Sequence, residues 1–427
     1  MSDNPTVQPS EQTLPIFVIQ ETSPMNPPAV ETTPLPSTPA SRAEAYLAAA
    51  RRAAETGPEW PAVTGLPVDN RLGVVGAGTM GSGIALCALA AGLTVTLLDA
   101  NEAALQRGVQ RIRDSLYGAV ARGRLPAAEC QQRLARLHPA TDWAALSDAD
   151  AVIEAVFEDS AVKQAVMARL HAACAPRTLF ISNTSTLDID ELAQGCGRPD
   201  HVLGMHFLTP AHVTPLVEVV RGRATSDTSL ARARALAVRL GKLPVLAGNA
   251  WGFIGNRLFE GYLREVDALQ LEGVPAARID AALEAFGFAL GPCRTLDMAG
   301  TDLVSQVLTA RATRFEQPPA YRRITRRLAE LGRFGHKSGR GHYLYEGRVA
   351  QPDPDLARVC AEEARALGIA PQPDVSDDTI VRRCVTPLAD EGQRLLAEGM
   401  ACRASDIDLV WVLGYGFPAH RGGPMVM

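Results

Sequence analysis

One stretch, Arg71 to Asp99, leaves this chain few ways to fold. Leu72 to Val75 are apolar and partly β-branched, as in a buried parallel strand, and the run stops on Gly76. Gly76, Gly78 and Gly81 form G-x-G-x-x-G, with Thr79 and Met80 inside it, and a helix-compatible run extends from Met80 to Ala91. A second apolar strand, Thr94 to Leu98, ends at Asp99. The first glycine permits a tight turn, the second lets backbone approach a pyrophosphate, and the third lets helix pack on strand. Free N–H groups and the positive dipole end at that helix N-terminus favour a phosphate. A G-x-G-x-x-G alone says little, but this one has the strand before it, the helix after it and the acid at the next strand end. It predicts a dinucleotide site built on Gly76, Gly78, Thr79, Met80, Gly81 and Asp99. Asp99 also selects the cofactor, since a carboxylate accepts hydrogen bonds from ribose hydroxyls and repels a 2′-phosphate. Ala100 and Asn101 bring no cation beside it, so NAD is expected over NADP.

The 427 residues, 47% of them hydrophobic, leave room for two or three domains. A net charge of −5 provides no basic surface for nucleic acid. Basic residues are almost all arginine; the lysines are Lys163, Lys242 and Lys337. Eight scattered cysteines, without C-x-x-C or a Cys/His cluster, suggest neither a disulfide framework nor a metal site, and a reducing cytoplasm is expected. Residues 1–40, rich in Pro, Thr and Ser, read as a disordered tail without the features of a signal peptide. No run reaches transmembrane length, and Pro424 to Met427 carries no peroxisomal tripeptide. Residues 41–69 read as a linker helix, Ser41 to Thr56 with Ser41 as N-cap and Glu44 at capping-box spacing, followed by a loop.

Residues 70–248 alternate strands with helices. Helical stretches cover Glu102 to Arg122, Ala127 to Leu137, Ser160 to Cys174 and Asp188 to Gln194, and strands cover Asp150 to Val156, Leu179 to Ser182 and Val202 to His206. That pattern is a doubly wound parallel sheet of the α/β Rossmann class, whose ligands collect at the carboxyl ends of strands. From residue 249 helices take over, and a repeat emerges. Ile254, Arg257, Glu265, Glu272 and Gly273 match Ile380, Arg383, Glu391, Glu398 and Gly399 at one constant offset. Ile279-Asp280 likewise pairs with Ile407-Asp408, and GFALGP at 287–292 with GFPAHRGGP at 416–424. The expected architecture is thus a Rossmann domain followed by a duplicated all-α C-terminal domain, one copy at 249–350 and a second, shortened, at 351–427. Two such units can pack on each other as dimer subunits would.

Polar groups at the later strand ends are the candidates for chemistry. His206, in GMHF, suits a general base, and Glu218, in PLVEVV, suits the carboxylate that orients it. Ser185 and Asn256 can position a substrate oxygen; each equally fits an N-cap, as His206 alone fits a structural histidine. Together, SNTS at 182–185, GMHF at 204–207, LVEVV at 216–220 and GFIGNR at 252–257 resemble the successive motifs of L-3-hydroxyacyl-CoA dehydrogenases. GRFGHKSGRGHY and GYGFPAHRGGPM are similar to segments in the dehydrogenase half of multifunctional β-oxidation enzymes.

The resemblance implies a catalytic set of His206, Glu218, Ser185 and Asn256, and cofactor contacts from Glu158, Lys163 and Lys337. It implies NAD-dependent oxidation of a 3-hydroxyacyl-CoA, an acyl-CoA substrate, and separate enoyl-CoA hydratase and thiolase partners, since no hydratase half precedes residue 70. A monomer or weak dimer is expected. Thr209 stands where single-function members of the family have Asn, as a small hydroxyl residue does in multifunctional ones, and Trp251 replaces a small residue or Pro, a departure expected to reshape the acyl pocket. Two alternatives stay open: a catalytically weak NAD-binding protein on the same scaffold, and a dehydrogenase for another 3-hydroxy acid.

Overall fold

The computed structural model describes residues 38–66, 69–347 and 349–427; the expected disordered tail lies outside the described residues except for its last three. Eight strands form the main sheet: β1 (Arg71–Val75), β2 (Thr94–Leu98), β3 (Leu137–Ala140), β4 (Ala151–Glu154), β5 (Leu179–Ser182), β6 (Val202–Phe207), β7 (Leu216–Arg221) and β8 (Leu243–Gly248). Their order is β3-β2-β1-β4-β5-β6-β7-β8. β1 to β6 run parallel, β7 returns antiparallel to β6, and β8 follows β7 in parallel. Every residue of β4, β5 and β6 is buried, because helices cover both faces of a doubly wound sheet.

The helices of this half are α2 (Thr79–Ala90), α3 (Glu102–Ala121), α4 (Ala127–Ala135), α5 (Ser160–Ala173), α6 (Ile189–Gln194) and α7 (Asp227–Arg239), preceded by the strut α1 (Pro39–Thr56). Two local expectations change. Leu137 does not end a helix; it opens the edge strand β3, whose half-exposed LHPA sequence carries little apolar pattern. The N-cap of α1 is Thr38 and not Ser41, because Pro39 suits the first turn and Ser41 falls at the third position, closing a capping box with Thr38.

The helical half comprises α8 (Gly255–Leu271), α9 (Ala276–Phe286), α10 (Pro292–Ala299), α11 (Thr301–Ala312), α12 (Arg323–Glu330), α13 (Pro354–Ala366), α14 (Asp377–Ala397) and α15 (Ala404–Gly414). A hairpin of β9 (Tyr343–Glu346) and β10 (Val349–Pro352) lies between α12 and α13, so a domain border drawn at 350/351 would cut through it. The two copies face each other through α8 and α14 with exchanged ion pairs. Arg257 on α8 binds Glu391 and Glu398 on or just beyond α14, while Arg383 on α14 binds Glu265 and Glu272 on or just beyond α8. Each copy also folds its C-terminal turn onto one aspartate. Asp280 accepts Cys293 N at 2.8 Å and Tyr343 Oη at 2.7 Å; Asp408 accepts Met425 N at 2.7 Å and Tyr46 Oη at 2.5 Å. In the second copy, α1 therefore supplies the tyrosine that β9 supplies in the first.

Candidate active site

The glycine loop is built as the spacing requires. Gly76 has φ +98°, and a Cβ there would lie 2.6 Å from the Ala155 carbonyl oxygen. At Gly81 a Cβ would lie 1.8 Å from Gly76 O, so only glycine lets α2 pack on β1, whereas a Cβ on Gly78 would meet nothing within 4 Å. That open face, beside an α2 N-terminus without a side-chain cap, fits a pyrophosphate. Asp99 holds the loop: Oδ2 accepts Ala77 N at 2.9 Å and Oδ1 accepts Asn101 N at 2.9 Å. Lone pairs remain on both oxygens for a ribose. A cavity of 730 Å³ runs from Gly76, Gly78, Thr79, Met80 and Asp99 past Glu158 to Ser185 and His206. Arg107 and Arg111 on α3 also line it, although no cation is adjacent to Asp99 in sequence; Arg111 donates to Ala77 O at 3.2 Å.

His206, next to last in β6, lies opposite Glu218 on β7, a register pair. Its Nδ1 lies 2.6 Å from Glu218 Oε2. Glu218 is fully buried, and its other oxygen accepts Ile254 N at 2.9 Å and Gly255 N at 3.0 Å, at the start of α8. One carboxylate thus joins the imidazole to the N-terminus of the first helix of the helical half, whose positive end stabilises it. Phe253, at φ +51°, turns those N–H groups toward it and sets its ring 5.8 Å from the imidazole. With Nδ1 committed as donor to Glu218, Nε2 is the acceptor of the neutral ring.

Ser185 and Asn256 converge beside His206. Asn256 Nδ2 donates to Ser185 O at 3.3 Å, and its Oδ1 accepts Tyr415 Oη at 2.8 Å. Tyr415, just past α15, is buried; burial and then Glu218 hold its phenol well above the usual range, so it remains a donor. No reading of the sequence marked Tyr415. GYGF names it only as part of a motif; its packing on Gly255, where a Cβ would strike the ring, is a contact that only the fold shows.

Glu158 Oε1 gathers Thr184 Oγ1 at 2.7 Å, Ser185 N at 2.7 Å, Ser185 Oγ at 3.0 Å and Thr186 N at 3.1 Å. Burial would raise its carboxyl, but Lys163 and these donors outweigh burial and hold it below the usual carboxylate range. Two lysines stand apart from the cofactor cavity. Lys163 is buried, bound to Glu154 at 2.9 Å and Glu158 at 3.3 Å, so it reaches the cavity through Glu158 and the Val156 carbonyl. Lys337 pairs with Asp302 on α11 at 2.7 Å. Neither lines the cavity expected to hold the cofactor. Thr209 is buried and donates to Met80 Sδ at 3.1 Å, while Trp251 lines a second cavity at His206.

Residues 71–250 match the family model "3-hydroxyacyl-CoA dehydrogenase, NAD binding domain", and residues 252–345 match "3-hydroxyacyl-CoA dehydrogenase, C-terminal domain". The chain belongs to this family. Its Rossmann half is therefore the family's NAD-binding domain, and the duplicated helical half packs onto it. A peroxisomal bifunctional enzyme of Cavia porcellus is 37% identical over 386 residues, 87% of this chain and 52% of that protein. The chain spans about half the length of the curated relatives it matches. Among solved structures, 3-hydroxybutyryl-CoA dehydrogenase from Escherichia coli is similar with a TM-score of 0.72 and 29% identity, covering 84% of this chain and 91% of that one. The dehydrogenase part of multifunctional enzyme 1 from C. elegans has a TM-score of 0.60 and 28% identity, covering 89% and 88%.

The names of the curated relatives overturn the expected cytoplasmic location, because those bifunctional and multifunctional enzymes are peroxisomal or glyoxysomal proteins. The eight free cysteines, seven of them buried, speak only against a disulfide framework and do not distinguish one thiol-preserving compartment from another.

Proposed function

We propose that this chain oxidises an L-3-hydroxyacyl-CoA to the 3-ketoacyl-CoA. The observation that carries this is His206, held through Nδ1 by Glu218 at 2.6 Å, at the junction of two cavities. The cofactor cavity and a cavity of 140 Å³ lined by Phe259, Leu263 and Leu296 have His206, Ser185, Phe207, Leu303 and Val307 in common. The first suits NAD, held by the glycine loop and Asp99; the second suits an acyl chain. NAD supplies the hydride acceptor. His206 Nε2 removes the hydroxyl proton as hydride leaves the same carbon, and Glu218 stabilises the imidazolium that forms. Asn256 Nδ2, with one hydrogen left beyond Ser185 O, positions the oxygen as it becomes a carbonyl and contributes on the order of 3 kcal/mol in the transition state; Ser185 Oγ joins it once its one hydrogen turns from Glu158 Oε1 to the substrate. Reduction reverses these roles.

The substrate is what hydration of an enoyl-CoA gives, and the product suits thiolytic cleavage, so a hydratase activity before this step and a thiolase activity after it belong to this proposal. The test is consumption of NADH with acetoacetyl-CoA, followed at the nicotinamide absorbance. Turnover is expected, with the CoA thioester far better than free acetoacetate because remote contacts are used at the reacting carbon. No loss of NADH would sink the proposal, and equal rates with the free acid would favour a dehydrogenase for another 3-hydroxy acid. An His206→Ala variant as active as the parent would show that His206 is not the base.

A further inference from the structure

Two cavities meet behind the reacting centre, with Trp251 and Glu260 in the walls of both. The first is the 140 Å³ space that begins at His206 and continues between apolar side chains. The second, 540 Å³, is walled by charged groups, among them Arg264, Arg311 and Asp390. An alkyl chain gains by leaving water for the first, but in the second it would displace water from charges without replacing its hydrogen bonds. α8 runs between them, with Phe259 and Leu263 on the first and Arg257, Gly261 and Arg264 on the second, and at the boundary beside it stands a side chain fixed in place. The Trp251 indole meets the Phe315 ring edge-on at 6.2 Å, and the Arg311 guanidinium lies 5.1 Å from the indole centre. Arg311 also lies 4.7 Å from Phe315 and 5.1 Å from Tyr321, so the loop before α8 is clasped to the C-terminal end of α11.

The geometry points to Trp251 as the residue that sets acyl chain length: its indole, clasped by Arg311 and Phe315, closes the apolar cavity where the charged one begins. This rests on the acyl-CoA reading above. Short chains fit between His206 and the indole, and longer ones meet it. One surplus methylene in a closed pocket costs tenfold or more in discrimination.

The experiment compares 3-ketoacyl-CoA thioesters of four, six and ten carbons on the full chain and on its Trp251→Leu and Trp251→Ala variants. kcat/KM with NADH is measured beside Kd by calorimetry, which needs no turnover. The parent is expected to use the ten-carbon substrate at least tenfold less well than the four-carbon one. Trp251→Ala should raise the ten-to-four ratio at least tenfold in both quantities, with Trp251→Leu in between. A ratio unmoved in both variants overturns the proposal, as does a parent that handles both lengths equally. A protein that binds the thioesters with the shifted ratio yet consumes no NADH would keep the wall and sink the activity, so the two failures are distinct.

Discussion

At the scale of single residues, the site depends on one carboxylate with two obligations. Glu218 accepts from His206 through one oxygen and from the start of α8 through the other. Glu218→Gln retains the second role, because an amide oxygen still accepts from Ile254 N and Gly255 N. It reverses the first: an amide NH₂ facing Nδ1 makes that nitrogen an acceptor and moves the ring proton to Nε2. The base is then blocked without loss of fold. We expect turnover to fall by roughly 10²–10⁴, with NADH affinity and the unfolding midpoint close to the parent's. Steady-state kinetics beside fluorescence titration would check this, and a large loss of NADH binding would contradict it. His206, Glu218, Ser185 and Asn256 were legible because each sits in a short motif at a strand or helix end. Lys163 was less so, because sequence does not reveal whether a lysine faces a ligand or a buried acid. Its neighbours Glu154 and Glu158 were on the page, but only the packing of α5 against β4 shows that they neutralise it.

At the scale of elements, the glycine turn separates folding from binding. Gly81→Ala puts a methyl against Gly76 O and should cost several kcal/mol, as overpacking and strain do where backbone faces backbone. Gly78→Ala has φ −69° and open space around its Cβ, so stability should stay within about 0.5 kcal/mol. The added methyl stands where the pyrophosphate would approach, and NADH affinity should fall tenfold or more. Urea melts and NADH titration of the two variants would show opposite patterns. The strut α1 has its own signature. Burial pushes the Asp408 carboxyl, bound to Tyr46, from 3.8 up to about 6. The folded chain thus holds that proton more tightly than the unfolded one, and its contribution is largest in acid and falls as pH rises from about 4 to about 6. The loss is on the order of 3 kcal/mol. Between pH 4 and pH 7, urea denaturation should shift in favour of Asp408→Asn over the parent by about that amount. Long apolar strands and alanine-rich helices were readable from their periods, whereas β3 was not, since an edge strand of four half-exposed residues carries no period to read.

At the scale of the whole molecule, the repeat was visible as matched residues, but sequence did not say that the matches would cross over. Arg257 reaches the acids of the second copy, and Arg383 reaches those of the first. The exchange makes the α8/α14 contact self-complementary, as in a two-fold dimer. Arg383→Ala should lower stability by about 1–3 kcal/mol, since it strands two partly buried carboxylates, and Arg257→Ala by less, about 1 kcal/mol, because Glu398 is exposed and Glu391 keeps Arg394; urea melts of the two variants would show the difference. With this face occupied internally, light scattering should find a monomer; an obligate dimer through α8 and α14 would contradict the arrangement. Tyr415 was illegible for a related reason: its partner Asn256 lies in the other copy, far along the chain.

That single phenol makes turnover a reporter of assembly. The reacting oxygen would sit where the sheet domain, the first helical copy and the second all meet, touching them through Ser185, Asn256 and, behind Asn256, Tyr415. If the second copy loosens before the sheet melts, catalysis should disappear while most of the helical ellipticity remains. On slow heating, residual activity should fall several degrees below the midpoint seen by circular dichroism, and coincident curves would mean that the three parts come undone together.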